Sequence, residues 1–249
     1  MGSSHHLKRL PAPSFWPIYR KAHQWTVKPK PGPHSLNQCL PLLIVLREML
    51  HLVRTRREAK YLLSNGNVKV DGRIRRNDDF PVGIMDVIEF PATQKIYRVL
   101  PSTNKGLLLH TITEQEKDFK LCQIVNKTCV KGGHIQLNLN DGRNLLIRVK
   151  DPQDPQEETY QTYDTLKIQL PDSEILDSLK FEEGSLAIVT NGKNIGRWGQ
   201  IVNIEKQGRH KETITLRNEE DQHLKTIKDY VFPIGKGMPW ISLLRDDAL

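Results

Sequence analysis

Seven of the chain's fifteen prolines fall within its first 41 residues, in Pro11-Ala12-Pro13, Pro17, Pro29-Lys30-Pro31-Gly32-Pro33 and Pro41. Proline fixes φ and removes a backbone donor, so this stretch can hold neither a long helix nor a central strand. An extended N-terminal arm over 1–40 is expected, with short turns at most. The arm is also cationic. Residues 1–47 contain Lys8, Arg9, Arg20, Lys21, Lys28, Lys30 and Arg47 and no acidic residue. Phe15, Trp16, Tyr19 and Trp25 are interleaved with these cations. Plain disordered tails avoid aromatics. The arm therefore reads as a segment that orders against an anionic partner.

The whole chain carries 37 Lys+Arg against 29 Asp+Glu over 249 residues, a formal charge of +8. Residues 48–80 hold eight basic and five acidic side chains, and residues 81–249 hold 22 and 24. The cationic character thus belongs to the first third, as a polyanion-binding segment requires. A hydrophobic content of 37% is low for one large core and adequate for several small domains. The longest apolar run, 40–46, is far short of the roughly 20 residues that span a bilayer. The start has no apolar secretory core, so a cytoplasmic protein with no membrane partner is expected. Cys39, Cys122 and Cys129 lack C-x-x-C spacing and read as buried, inert thiols.

Residues 41–90 give the clearest pattern. Pro41 suits a first helical position, and Leu42, Val45, Leu46, Met49 and Leu50 follow on one face. Thr55-Arg56-Arg57-Glu58 is a capping box that opens a second helix, with Ala59, Leu62 and Leu63 inward and Asn65-Gly66 at its end. Residues 68–70 form a strand, Asp71-Gly72 is a type I′ turn, and 87–90 is a returning strand. From 91 onward short strands dominate: 105–112, 120–125, 135–139, 145–149, 166–170, 185–190, 199–204, 213–217 and 230–235. Residues 151–158 read as a loop and 175–179 as one helical turn. The expected fold is multi-domain α+β. After the arm come a two-helix unit with a small hairpin sheet (41–90), an antiparallel β domain (91–172) and a second small β unit with a tail (173–249).

Catalytic signatures are missing. The sequence has no phosphate loop ending in Gly-Lys-Ser/Thr, no Gly-x-Ser-x-Gly and no His-Glu-x-x-His. The nine histidines are scattered, and acidic pairs such as Glu157-Glu158 and Asp246-Asp247 read as solvated. No enzyme, metal, cofactor or small-molecule substrate is expected. The informative cluster is Arg54, Arg56, Arg57 and Lys60 at the start of the second helix, followed by Lys69, Arg73, Arg75 and Arg76. Free N–H groups and the macrodipole already make a helix start positive, so added cations are unfavourable there until an anion arrives. Arginine forks match phosphate oxygens. These residues, with Lys8, Arg9, Arg20 and Lys21 of the arm, are the expected contacts to a phosphate-bearing partner.

The run 55–60, followed by Asn65-Gly66-Asn67-Val68-Lys69-Val70-Asp71-Gly72-Arg73, resembles the alpha-L RNA-binding domain of ribosomal proteins and RNA-modifying enzymes. Further likenesses lie in Pro81-Val82-Gly83-Ile84-Met85-Asp86-Val87-Ile88, His6-Leu7-Lys8-Arg9-Leu10, Lys120-Leu121-Cys122 and Asp141-Gly142-Arg143-Asn144. Together they resemble the archaeal and eukaryotic small-subunit ribosomal protein family "S four e", with an archaeal leaning. That resemblance implies a structural constituent of the small ribosomal subunit, bound to small-subunit rRNA and to neighbouring ribosomal proteins. It also implies a C-terminal KOW-type barrel whose loop is Asn191-Gly192-Lys193-Asn194-Ile195-Gly196-Arg197-Trp198-Gly199, with Lys193, Asn194 and Arg197 at RNA. The glycines there would let backbone approach a partner; Trp198 either stacks on a base or packs. Two alternatives stand beside this reading: an RNA-modifying enzyme carrying an alpha-L domain, and a KOW-type transcription factor.

Overall fold

The computed structural model describes residues 6–103, 106–149, 160–205, 212–218 and 220–243. Lys105, the loop expected over 151–158 and the acidic pairs Glu157-Glu158 and Asp246-Asp247 lie outside the described residues. The chain divides into two compact units, Met1–Asp118 and Phe119–Leu249.

In the first unit the helical segment is entirely buried up to Leu46, as its nearly unbroken apolar run requires. It opens as α1 (Leu42–Ile44) and widens into a π-helical turn over Val45–Met49. Pro41 sits one position before the helix, not inside it, because Cys39–Pro41 pairs as a strand with Pro81–Gly83. Helix α2 (Arg56–Ser64) begins on the expected capping box: Thr55 Oγ1 accepts from the Glu58 N–H at 3.2 Å. Gly66, at φ 75°, provides the left-handed residue beyond its end. Strands β1 (Lys69–Val70) and β2 (Arg73–Ile74) form the hairpin, and Asp71 and Gly72 both have positive φ, as a type I′ turn demands.

Strands β3 (Val87–Phe90), β4 (Lys95–Ser102) and β5 (Gly106–Thr111) extend that hairpin into one antiparallel sheet of order β2-β1-β3-β4-β5. The sheet therefore runs on past residue 90, where the sequence placed a boundary. Val87 to Phe90 pair directly with Arg98 to Lys95. Sequence reading missed β4 because Lys95, Tyr97 and Arg98 interrupt its apolar pattern.

The arm also differs from expectation. Ala12, Trp16, Ile18 and Val27 join one core with Leu40, Leu42, Leu46, Leu63 and Val99. Trp16 Nε1 donates to the Cys39 carbonyl at 2.9 Å, and Leu7–Lys8 pairs with Trp25–Thr26. The prolines exclude long regular structure, but four apolar side chains on a looped path still reach the core.

The second unit holds two antiparallel sheets. The first comprises β6 (Phe119–Cys129), β7 (Ile135–Leu139), β8 (Asn144–Ile147), β9 (Thr165–Gln169) and β10 (Ile175–Leu179), in order β8-β7-β6-β9-β10. Residues 175–179, expected as a helical turn, are thus a strand. They pair with Thr165–Ile168, and that tertiary pairing overrides a weak local preference. The second sheet comprises β11 (Ser185–Val189), β12 (Trp198–Glu205), β13 (Thr213–Arg217), β14 (His223–Ile227), β15 (Val231–Lys236) and β16 (Met238–Pro239), in order β14-β13-β12-β11-β15-β16. Thr165 Oγ1 donates to the Pro233 carbonyl at 3.0 Å and Gln123 Nε2 to that of Val231 at 2.9 Å, joining the two sheets. Cys39 and Cys122 are buried as expected, whereas Cys129 is exposed at the end of β6.

Candidate nucleic-acid interface

The capping box aims the start of α2. Ala59 and Leu63 face the core, so Arg57 and Lys60 are left on the solvent side. Arg54, Arg57 and Lys60 are all exposed. Glu58 accepts the Arg54 N–H at 2.8 Å and, at 3.0 Å, the Thr55 hydroxyl. The Arg54 N–H, then the Thr55 hydroxyl, hold its carboxyl below the usual carboxylate value. The acid of the first turn is thus engaged within the cap, and the cations beside it project outward.

Arg56 behaves differently. Its Nε donates to the carboxylate of Asp78, whose side chain is 8% exposed. That ion pair fixes the helix start beside the segment carrying Arg75 and Arg76. At the other end of α2, a Cβ added at Gly66 would stand 3.5 Å from the Ile74 side chain of the hairpin. The Arg56–Asp78 pair thus sets the segment after the hairpin beside the helix start that carries the exposed Arg54, Arg57 and Lys60. Arg73 on the hairpin and Arg76 after it are exposed as well. Arg75 stacks its guanidinium 4.3 Å from the Phe80 ring centroid. Lys69 is half-buried on β1, opposite Glu89 in register.

The arm cations divide. Lys8 and Lys21 are exposed, and Lys8 Nζ lies 5.9 Å over the Trp25 ring. Arg9 is buried at 6% exposure, donating from Nε to the Trp25 carbonyl (3.2 Å) and from Nη1 to that of Tyr19 (2.9 Å). Arg20 donates to the carbonyls of Arg9 (2.8 Å), Ala12 (2.7 Å) and Pro13. The sequence placed Arg9 and Arg20 among the RNA contacts; the structure turns both inward. The turns of the proline-rich loop satisfy only some of its carbonyls, and these two guanidiniums add donors; at the Arg9 and Pro13 carbonyls, Arg20 joins the Ala12 and Trp16 N–H groups.

In the second unit, residues 190–197 form the β11–β12 turn, with Gly192 and Gly196 at φ 84° and 81°. Lys193 and Arg197 are exposed on it, and Asn194 Nδ2 donates to the Lys225 carbonyl at 3.3 Å. Gly199 serves the fold itself: a Cβ there would stand 2.4 Å from the Arg217 carbonyl oxygen on β13. The close approach expected toward a partner is made to the neighbouring strand instead. Trp198 is half-buried and paired with Ile188.

Sequence reading also missed the buried ionic residues. Lys120, Asp141 and Arg143 form one cluster on the first sheet of the second unit. His34 Nε2 lies 3.0 Å from the Asp86 carboxylate, close to Cys39. Burial, then the Asp86 charge, push the Cys39 thiol up to about 12. Their one sequence signal is a charge inside an otherwise apolar strand, as at Lys120.

Three family models match the chain: an RS4NT domain over residues 1–37, an S4 domain over 40–88 and ribosomal family S4e over 93–175. Small ribosomal subunit protein eS4 of Staphylothermus marinus is 50% identical over 244 residues, covering 98% of this chain and 97% of that protein. Small ribosomal subunit protein eS4 of Methanocaldococcus jannaschii is 47% identical over 242 residues, covering 97% and 98%. Among solved structures, the crystal structure of 30S ribosomal protein S4e from Thermoplasma acidophilum is 33% identical. It aligns with a TM-score of 0.67 over 80% of this chain and 96% of that one.

Proposed function

The chain belongs to the S4e family of small-subunit ribosomal proteins, and we propose that it holds small-subunit rRNA chiefly through the cationic corner formed by α2 and its hairpin. It is a structural constituent of the cytoplasmic small ribosomal subunit, not an enzyme. Its partners are rRNA and neighbouring ribosomal proteins. The observation that carries the proposed interface is the exposure of Arg54, Arg57 and Lys60 around a helix start whose one acid, Glu58, is drawn into the cap. Phosphate oxygens complete that electrostatic arrangement, and binding releases counterions from the RNA.

Lys8, Lys21, Lys69, Arg73 and Arg76 extend the proposed phosphate contacts. Arg9, Arg20 and Arg56 support them from behind by holding the arm and the helix start. For the second unit we infer a KOW-type barrel built on the second sheet, supported by the glycine-bearing 190–197 turn with exposed Lys193 and Arg197. Asn194 ties that turn to β14.

Arg57→Ala in the full chain tests the interface against a small-subunit rRNA transcript. The slope of log K against log salt should flatten by roughly 0.7–0.9 for one lost phosphate contact. An unchanged slope would show that Arg57 does not meet phosphate. In a lysate gradient the wild-type chain should sediment with small subunits; sedimentation with RNA polymerase instead would favour the transcription-factor alternative.

A further inference from the structure

Beside the hairpin lies a cleft of about 290 Å3, lined by Ile74, Arg75, Arg76, Asn77 and Phe80. We propose that this cleft takes one unstacked nucleobase of the bound RNA, held against Arg75 and Phe80. The proposal rests on the rRNA reading above and adds a base contact to its phosphate contacts.

The chemistry of the lining points to a base more than to a bare phosphate. Aromatic rings and guanidinium planes are the surfaces on which proteins stack splayed bases. Here the two are already stacked on each other at 4.3 Å, and both line the cleft. An inserted base extends that stack. Ile74, half-exposed, adds an apolar wall that a phosphate would not need. Asn77 is exposed and offers both donors and an acceptor to a base edge. Arg76, also exposed, can meet the phosphate of the same nucleotide.

The cleft is held in place by backbone bonds. The Phe80 carbonyl accepts from the Leu42 N–H at 2.9 Å, and the Arg75 N–H donates to the Val68 carbonyl at 3.1 Å. The Arg56–Asp78 pair anchors the turn between them. Its volume falls just below the range of drug-sized small-molecule sites, about 300–1,000 Å3, which suits one ring system and not a helix.

The test measures affinity of the full chain, by fluorescence anisotropy, for the RNA hexamers A6, C6 and U6 and for an abasic ribose-phosphate hexamer of equal charge. Base-bearing strands should bind more tightly by on the order of tenfold. Arg75→Lys keeps the charge but removes the planar group. It should bring that preference close to one while leaving the salt slope unchanged. Asn77→Ala should alter the ranking among the three bases without changing affinity for the abasic strand. Equal binding of abasic and base-bearing strands by the wild-type chain would reduce the cleft to a phosphate site and overturn the proposal. So would a preference that survives Arg75→Lys together with an unaltered ranking in Asn77→Ala. Failure of every strand, and of small-subunit rRNA itself, would overturn the rRNA reading as well.

Discussion

Lys120 is fully buried on β6, and its ammonium lies 3.2 Å from the Asp141 carboxylate, which also receives the Arg143 guanidinium at 3.1 Å. Burial by itself pushes the Asp141 carboxyl up. The Lys120 and Arg143 charges outweigh that and hold it below its ordinary value. A carboxyl held low in the folded state adds stability that is present above its unfolded pKa and lost as pH falls through the folded one. The contribution should therefore be complete at neutral pH and fade below about pH 4. Asp141→Asn should lower stability at pH 7 by about 3–5 kcal/mol, because Lys120 loses its countercharge in the interior. It should also flatten the acid limb of a urea-midpoint series. An acid limb as steep as the wild type's would rule Asp141 out as its source. At this same scale the sequence identified which side chains are cationic, but not which way they turn. Arg56 and Arg57 are neighbours in one motif, yet one grips Asp78 and the other faces solvent.

Among the elements, those defined by contiguous residues were the legible ones. The capping box, the Asn65-Gly66 stop and the Asp71-Gly72 turn depend on neighbours a few positions apart, and each forms as expected. β7 and β13 matched the alternating pattern over their whole length. β4, β10 and β14 did not, since each takes its conformation from the strand beside it. Gly199 belongs to this scale. Its lack of a Cβ lets β12 approach the Arg217 carbonyl on β13, where a Cβ would be 2.4 Å away. Gly199→Ala should force the two strands apart and destabilise the second unit by about 1–3 kcal/mol. Hydrogen exchange checks it: protection should fall along β12 and β13, and unaltered protection there would show that the strands absorb the methyl group freely.

For the molecule as a whole, the division at Asp118 makes the arm part of one unit and not a free appendage. Trp16 is 3% exposed, and its indole N–H meets the Cys39 carbonyl just ahead of the buried helical segment. Trp16→Ala should destabilise the first unit by about 3–5 kcal/mol. Thermal unfolding followed by hydrogen exchange should place the loss within residues 6–118 and leave the second unit's protection unchanged. Loss of protection that spared residues 6–118 would show that Trp16 does not hold the first unit's core together.

Composition and local pattern determined the cationic first third, the absence of catalytic motifs, the helix–hairpin unit and the predominance of short strands. Each of these is a property of single residues or of residues close together in the chain. Tertiary structure decided the rest. It carried the hairpin sheet past residue 90 into β4 and β5, and it folded the proline-rich arm onto the core through Trp16 and Ile18. It turned Arg9 and Arg20 inward, paired Arg56 with Asp78, and gathered Lys120, Asp141 and Arg143 into one cluster around a buried carboxylate. The physical reason is common to all of them. A strand's partner, a carbonyl left without a ladder and a buried countercharge are supplied by residues distant in sequence, and they exist only once the chain has closed on itself.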